Sequence, residues 1–135
     1  MAPDPQSVIR DFVAAFAAID AGAMAGLLAP GVVAHITNAE GGADAIEGRD
    51  ELLERIVAVD YGAAELSIEV TSTIEPAPGQ ALAMAEVHAA APSGEKLHNC
   101  AAHLCTVSDG LITEWWMVEA LPAESDRFWA AVTAG

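Results

Sequence analysis

Basic residues are scarce in this chain. Five Lys and Arg stand against twenty Asp and Glu, a formal charge of −15 with a pI near 4.2. Such a surface repels nucleic-acid phosphates and anionic headgroups, so neither nucleic acid nor a membrane is expected as a partner. Aromatic residues are also few, 5% against a hydrophobic content of 53%. The interior must therefore be built mainly from Ala, Val, Leu and Ile, and that apolar content excludes intrinsic disorder. There are only two cysteines, Cys100 and Cys105. Their odd separation on one predicted strand sends them to opposite faces, which predicts free thiols rather than a disulfide. Long apolar runs are missing too. The uncharged stretch of residues 21–39 is interrupted by Gly22, Gly26, Pro30, Gly31, His35 and Asn38, and so does not read as a membrane span. No basic residue precedes an apolar run at the N-terminus, so a signal peptide is not expected and a cytoplasmic location is. Nucleophile-elbow, P-loop and dinucleotide-binding motifs are absent, since Gly41-Gly42 and Gly110 lack the strand-to-helix setting these need.

At 135 residues the chain is expected to be one domain, residues 1–135. Asp4 before Pro5 reads as a helix cap, and Ile9, Phe12, Val13, Phe16 and Ile19 recur at helical spacing towards Gly22. A short helix over residues 23–28, closed by Pro30-Gly31, is followed by a β-prone run at residues 32–36 and a Gly- and acid-rich loop at 37–47. A third helix opens at Arg49-Asp50-Glu51 and ends by Tyr61-Gly62. From there the period changes to two: Leu66, Ile68 and Val70 alternate with Glu65, Ser67 and Glu69. Three further runs, about residues 80–91, 96–107 and 111–120, are separated by Pro92-Ser93-Gly94 and Ser108-Asp109-Gly110, both turn-forming. Ser125 or Asp126 is the expected cap of a last short helix through Phe128 and Trp129. Helices followed by a meander predict an α+β fold: a curved antiparallel sheet wrapped as an open cone around the long N-terminal helix. The small strand residues Ala81, Ala83, Ala85, Ala89, Ala101 and Ala102 predict unfilled volume inside it.

This order of elements resembles the nuclear transport factor 2-like superfamily, and within it the SnoaL-like polyketide-cyclase branch. The resemblance is carried by Asp20-Ala21-Gly22, by the passage Leu27-Leu28-Ala29-Pro30-Gly31-Val32-Val33, by Gly48-Arg49-Asp50-Glu51-Leu52 and by the run from Val107 through Asp109-Gly110 to Glu114-Trp115-Trp116. It implies a cone-shaped homodimer. The superfamily's isomerases, epoxide hydrolases, dehydratases and cyclases work by acid/base chemistry without metals or organic cofactors, and other members are binding or dimerisation modules. In the ketosteroid isomerase pattern a carboxylate base falls at His35 and a second acid at His103. The isomerase's first-helix tyrosine would fall near Ala15, and Tyr61 is the one tyrosine present. Where the cyclases commonly read Glu-His-Trp-Asp, this chain has Glu114-Trp115-Trp116-Met117.

The expected catalytic pair is thus His35 as base and His103 as acid or donor, because imidazole exchanges protons near neutral pH. The plainer alternative is that each histidine hydrogen-bonds a neighbouring strand or helix end. Strand alternation groups Leu97, Asn99, Ala101, His103 and Cys105 on one face, and Leu111, Thr113, Trp115, Met117 and Glu119 on the next strand's face. If His103 points inward, Trp115 and Met117 form pocket walls, Asn99 and Glu119 orient a ligand, and Trp116 faces the other way, towards a dimer partner. Tyr61 joins the expected ligand contacts. The ligand class is a small apolar or amphipathic molecule. A metal site drawn from His88, His98, Cys100 and Glu86 with His103 is not expected, because His98 and His103 differ by an odd count and no tight ligand motif is present. The loop at residues 37–47, with Glu40 and Asp44, is either a lid supplying a carboxylate or a solvated connection.

Overall fold

The computed structural model describes residues 4–134, so the leader reading at Met1-Ala2-Pro3 lies outside the described residues. Helix α1 (Pro5–Ala17) begins as its sequence dictates. Asp4 caps it by accepting from the Gln6 amide, and Val8, Ile9, Phe12, Val13 and Ala15 form its buried face. It stops before the expected Gly22. Ile19 takes a left-handed φ of 56°, and Asp20 instead caps α2 (Ala21–Leu27) by accepting from the Ala23 amide at 3.1 Å. Strand β1 (Leu28–Thr37) follows at once, and Pro30-Gly31 lies inside it, where the register shifts between Leu28 and Val33. The expected loop contains a strand, β2 (Ala43–Glu47), which forms a hairpin with β1. Helix α3 (Arg49–Val57) ends earlier than expected, and a separate 3-10 turn at Tyr61–Ala63 leads into the meander.

The meander forms as its turns predict: β3 (Glu65–Ile74), β4 (Gln80–Ala90), β5 (Lys96–Ser108) and β6 (Leu111–Glu119) pair antiparallel in sequence. Asp109 and Gly110 both have positive φ, 53° and 79°, as the tight turn between β5 and β6 requires. Strand β1 then pairs parallel with β6, completing an open six-stranded sheet in the order β2-β1-β6-β5-β4-β3. Register shifts in β1, in β3 and between β5 and β6 mark bulges, which increase local twist and let the sheet curl. This is the expected α+β cone, with a parallel strand and a sixth strand that had not been expected.

Two clusters fill the concave face. Helix α1, with Met24, Leu28, Val32, Leu52, Ile56 and Trp115, packs one end. Helix α4 (Pro122–Ala134) packs Phe128, Trp129 and Val132 on Ala89 and Leu97 at the other. Tyr61 bridges them, with edge-on ring contacts to Phe16 at 5.1 Å and to Trp129 at 4.7 Å. Cys105 is buried, Cys100 is exposed, and both are free. No described helix is long and apolar enough to cross a membrane.

Candidate active site

Alternation along β5 places Leu97, Asn99, Ala101, His103 and Cys105 together on the buried concave side. On β6 three of the five expected residues face inward. Trp115, Met117 and Glu119 face inward, but the bulge opposite Thr106 and Val107 shifts the alternation, so that Ile112 is buried instead of Leu111 and Thr113. Between the two core clusters lies an inner chamber of about 40 Å³, lined by Phe12, Phe16, Asn99, His103, Met117 and Glu119 among others. A larger cleft of about 290 Å³ opens beside it between α3, α4 and β1, with Arg55, Asp126 and Thr133 on its walls. Phe16, Tyr61, Met117, Glu119, Ser125 and Trp129 belong to both, so these side chains stand at the passage from cleft to chamber. Of the alanines expected to leave volume, Ala101 lines the chamber, whereas Ala81 and Ala83 are packed into the main core.

His103 is 6% exposed. Its Nδ1 accepts the indole N–H of Trp115 at 3.1 Å, with the two ring planes within 4° of each other. Trp115 is itself clamped edge-on by Phe12 at 5.0 Å. With Nδ1 occupied as an acceptor, the neutral ring carries its proton on Nε2. Burial lowers the imidazole pKa to about 4, so His103 is neutral at pH 7.

Glu119 behaves in the opposite way. Burial pushes its carboxyl up to about 7, against the lowering effect of the Ser125 hydroxyl, which donates to Oε1 at 3.2 Å. Its backbone amide donates to Thr37 Oγ1 at 3.0 Å, fixing the end of β6 to the end of β1. Glu119 lies directly opposite Ala101, and His103 is two residues along β5 from Ala101, so the pair is a same-face diagonal across the ladder. Such diagonals stand about 7–8 Å apart at the backbone, within joint reach of one small ligand. Asn99 is buried, but its Oδ1 accepts the backbone amides of Leu121 at 3.0 Å and Cys100 at 2.9 Å, leaving its NH2 as the uncommitted group. Burial, reinforced by the charge of Glu119, raises the Tyr61 phenol to about 12 and keeps it a neutral hydroxyl.

His35 is not part of this assembly. Ala34 and Ile36 on either side of it are buried, so alternation turns His35 to the outer face. There its Nε2–H donates to Glu114 Oε2 at 3.3 Å, and its ring lies on Trp116 with centroids 3.9 Å apart. The expectation that His35 and His103 face one cavity is corrected: the sheet separates them. The segment read as either a lid or a solvated connection holds a tight turn, braced by Asn38 Oδ1 accepting the amides of Glu40 and Gly42, each at 3.1 Å, and tied to α4 by the Ala39 amide donating to Asp126 at 3.1 Å. Asp44 is occupied by Asn38 and by Arg55 at 2.9 Å, which lower its pKa, and neither it nor Glu40 lines the chamber. Ser125 was missed as a site residue. Its position three residues after Pro122 suggests a helix cap, whereas its hydroxyl is spent on Glu119.

A SnoaL-like domain model matches residues 9–115 of the chain. A search of curated proteins found no match. Among solved structures, Bal32a from a soil-derived mobile gene cassette superposes with a TM-score of 0.76 at 15% identity, covering 91% of this chain and 94% of that one. IdmH, a candidate polyketide cyclase from Streptomyces antibioticus, gives 0.75 at 16%, covering 93% and 99%. A computationally designed 17-OHP binder gives 0.69 at 18%, covering 86% and 93%. At these identities the likeness establishes the fold alone.

Proposed function

The chain belongs to the SnoaL-like domain family, and from that premise we propose that it binds a small, mostly apolar molecule across the chamber and the cleft that opens beside it and moves a proton on it, as an isomerase, cyclase, dehydratase or hydrolase does. One observation carries this reading: Glu119 and His103 line the same largely apolar chamber with their proton affinities pushed in opposite directions. Glu119 replaces His35 as the base. Its carboxylate takes a proton from a carbon beside a carbonyl, while His103 Nε2–H donates to the oxygen on which charge develops. In an isomerisation the protonated Glu119 then returns the proton at another position, so nothing is consumed beyond the substrate; hydrolysis would also take up a water, and dehydration would release one. Tyr61 and Met117 form the passage, and the Asn99 NH2 orients the ligand.

The test is deuterium exchange at the α-carbon of small cyclic enones, followed by NMR. Wild type is expected to accelerate exchange, with kcat/KM rising with pH to a plateau above about 7. Glu119→Gln and His103→Phe should each lose ~100-fold or more. Exchange that survives in Glu119→Gln overturns the assignment. A second reading, a carrier of the same ligand without turnover, is favoured by Ala15 and Met117 standing where the family patterns carry a tyrosine and an aspartate. It predicts saturable binding with no exchange.

The same proposal treats the chain as one domain acting in the cytoplasm, consistent with two free thiols. It also has two copies pair through the outer sheet face, where Ile74, Met84, Trp116 and Val118 are exposed on neighbouring strands.

A further inference from the structure

The outer face of β4 and β5 carries a second group of chemically active side chains, separated from the chamber by the thickness of the sheet. Glu86 stands directly opposite Cys100, and His88 directly opposite His98, so all four leave the sheet on the same side. A carboxylate oxygen of Glu86, a ring nitrogen of His98 and the Cys100 sulfur all lie within 4.8 Å of one another. The closest of these approaches that involves an ion pair is His98 Nε2 to Glu86 Oε1, 3.6 Å. The His88 ring lies flat against His98, with centroids 4.4 Å apart and planes 9° apart, which holds the His98 ring upright. Glu69, opposite Glu86 on β3, adds a further negative charge to the row.

We propose that Glu86, His98 and Cys100 form a binding site for a borderline transition-metal cation of the Zn²⁺ class. Carboxylate, imidazole and thiolate together are the donor set such ions select, whereas Mg²⁺ and Ca²⁺ would want oxygen throughout. Tetrahedral bonds of about 2.0–2.3 Å put neighbouring ligand atoms roughly 3.3–3.7 Å apart, so closing this triangle asks about an ångström of exposed side-chain rotation. Three protein ligands leave one coordination position for water. Uptake requires the Cys100 S–H to give its proton to solvent as the S–metal bond forms, so binding releases a proton and weakens as pH falls. An exposed histidine–carboxylate pair alone adds little stability, and it does not account for the thiol beside it. Strand parity, which separates His103 from His98, is what brings these three together.

The experiment is titration of the reduced protein with ZnCl2 by calorimetry and with Co²⁺ by absorption. Wild type should take up one ion per chain and show a thiolate-to-cobalt charge-transfer band. Cys100→Ser should abolish the band, and Cys100→Ser and His98→Gln should each weaken Zn²⁺ binding by ~10-fold or more. His35→Ala, which removes an outer-face histidine elsewhere on the sheet, should leave both readouts unchanged. Circular dichroism should be the same for all of them, since Cys100 and His98 are exposed. Zn²⁺ uptake that is equal in every variant, which would mark diffuse attraction to an acidic surface, overturns the site, as does the absence of uptake by wild type.

Discussion

The two faces of one sheet treat the same residue type in opposite ways. On the concave face His103 is dry, held by an indole, and neutral down to about pH 4. On the convex face His35 and His98 lie beside the carboxylates of Glu114 and Glu86 in contact with water. The difference arises from strand parity: one residue along a strand separates a desolvated donor from a solvated ion-pair partner.

The sharpest way to break this comparison is at Trp115 and Trp116, neighbours in sequence on opposite faces. Trp115 is fully buried between Phe12 and His103, and Trp116 is 37% exposed. Trp115→Ala should cost ~3–5 kcal/mol in urea unfolding, whereas Trp116→Ala, measured at a dilution where the chain is monomeric, should cost no more than ~1 kcal/mol. Trp116→Glu should instead shift sedimentation from dimer to monomer. Equal stability losses from the two alanine variants would show that the faces are not energetically distinct, and unchanged sedimentation of the glutamate variant would remove the outer face as the dimer surface.

What was readable in advance follows the range of the interactions concerned. The cap at Asp4, the apolar stripe through Phe12, the turns at Gly94 and Asp109-Gly110 and the alternation along β5 are local, and each appears where its residues put it. Strand β2, the parallel pairing of β1 with β6 and the bulge near Thr113 depend on partners far along the chain, and no local pattern announces them. Within the site, the positions of His103, Trp115, Met117 and Asn99 followed from parity. The direction of His35 did not, because it required knowing that Ala34 and Ile36, rather than Val33 and His35, face the core. Glu119 was expected as a polar point. Its raised proton affinity comes from burial beneath α4, which outweighs the lowering effect of the Ser125 hydroxyl, and neither is visible in the strand that carries it.

A smaller effect sharpens the comparison within the inner face itself. Glu119 is raised from 4.5 to about 7, so between these values the native state holds a proton that the unfolded state has lost. Its stability contribution is present below pH 4.5 and is lost as pH rises through 7. His103 is lowered from 6.5 to about 4, so its contribution is present above pH 6.5 and is lost as pH falls through 4. Each amounts at most to about 3 kcal/mol. The opposing slopes nearly cancel in the wild type between pH 4.5 and 6.5. Glu119→Gln removes one of them, so its unfolding free energy should rise with pH across that window, and above pH 7 it should be more stable than wild type. A variant whose profile has the same slope as wild type across that window would mean that Glu119 titrates normally and is not desolvated.

The least effect belongs to His35, and that smallness is itself decisive. An exposed histidine–carboxylate pair at 3.3 Å stacked on a half-exposed tryptophan is worth about 0–1 kcal/mol. His35→Ala should therefore lower stability by less than ~1 kcal/mol and leave the rate and pH profile of deuterium exchange as in wild type. The family pattern places a base at this position, so the variant weighs sequence alignment directly against strand parity. A ten-fold loss of exchange in His35→Ala, with folding intact, would mean that the outer face takes part in proton transfer and that Glu119 is not the base. An unchanged rate leaves the sheet as a boundary the chemistry does not cross, because no side chain reaches through a ladder whose neighbouring positions are already filled by Ala34 and Ile36.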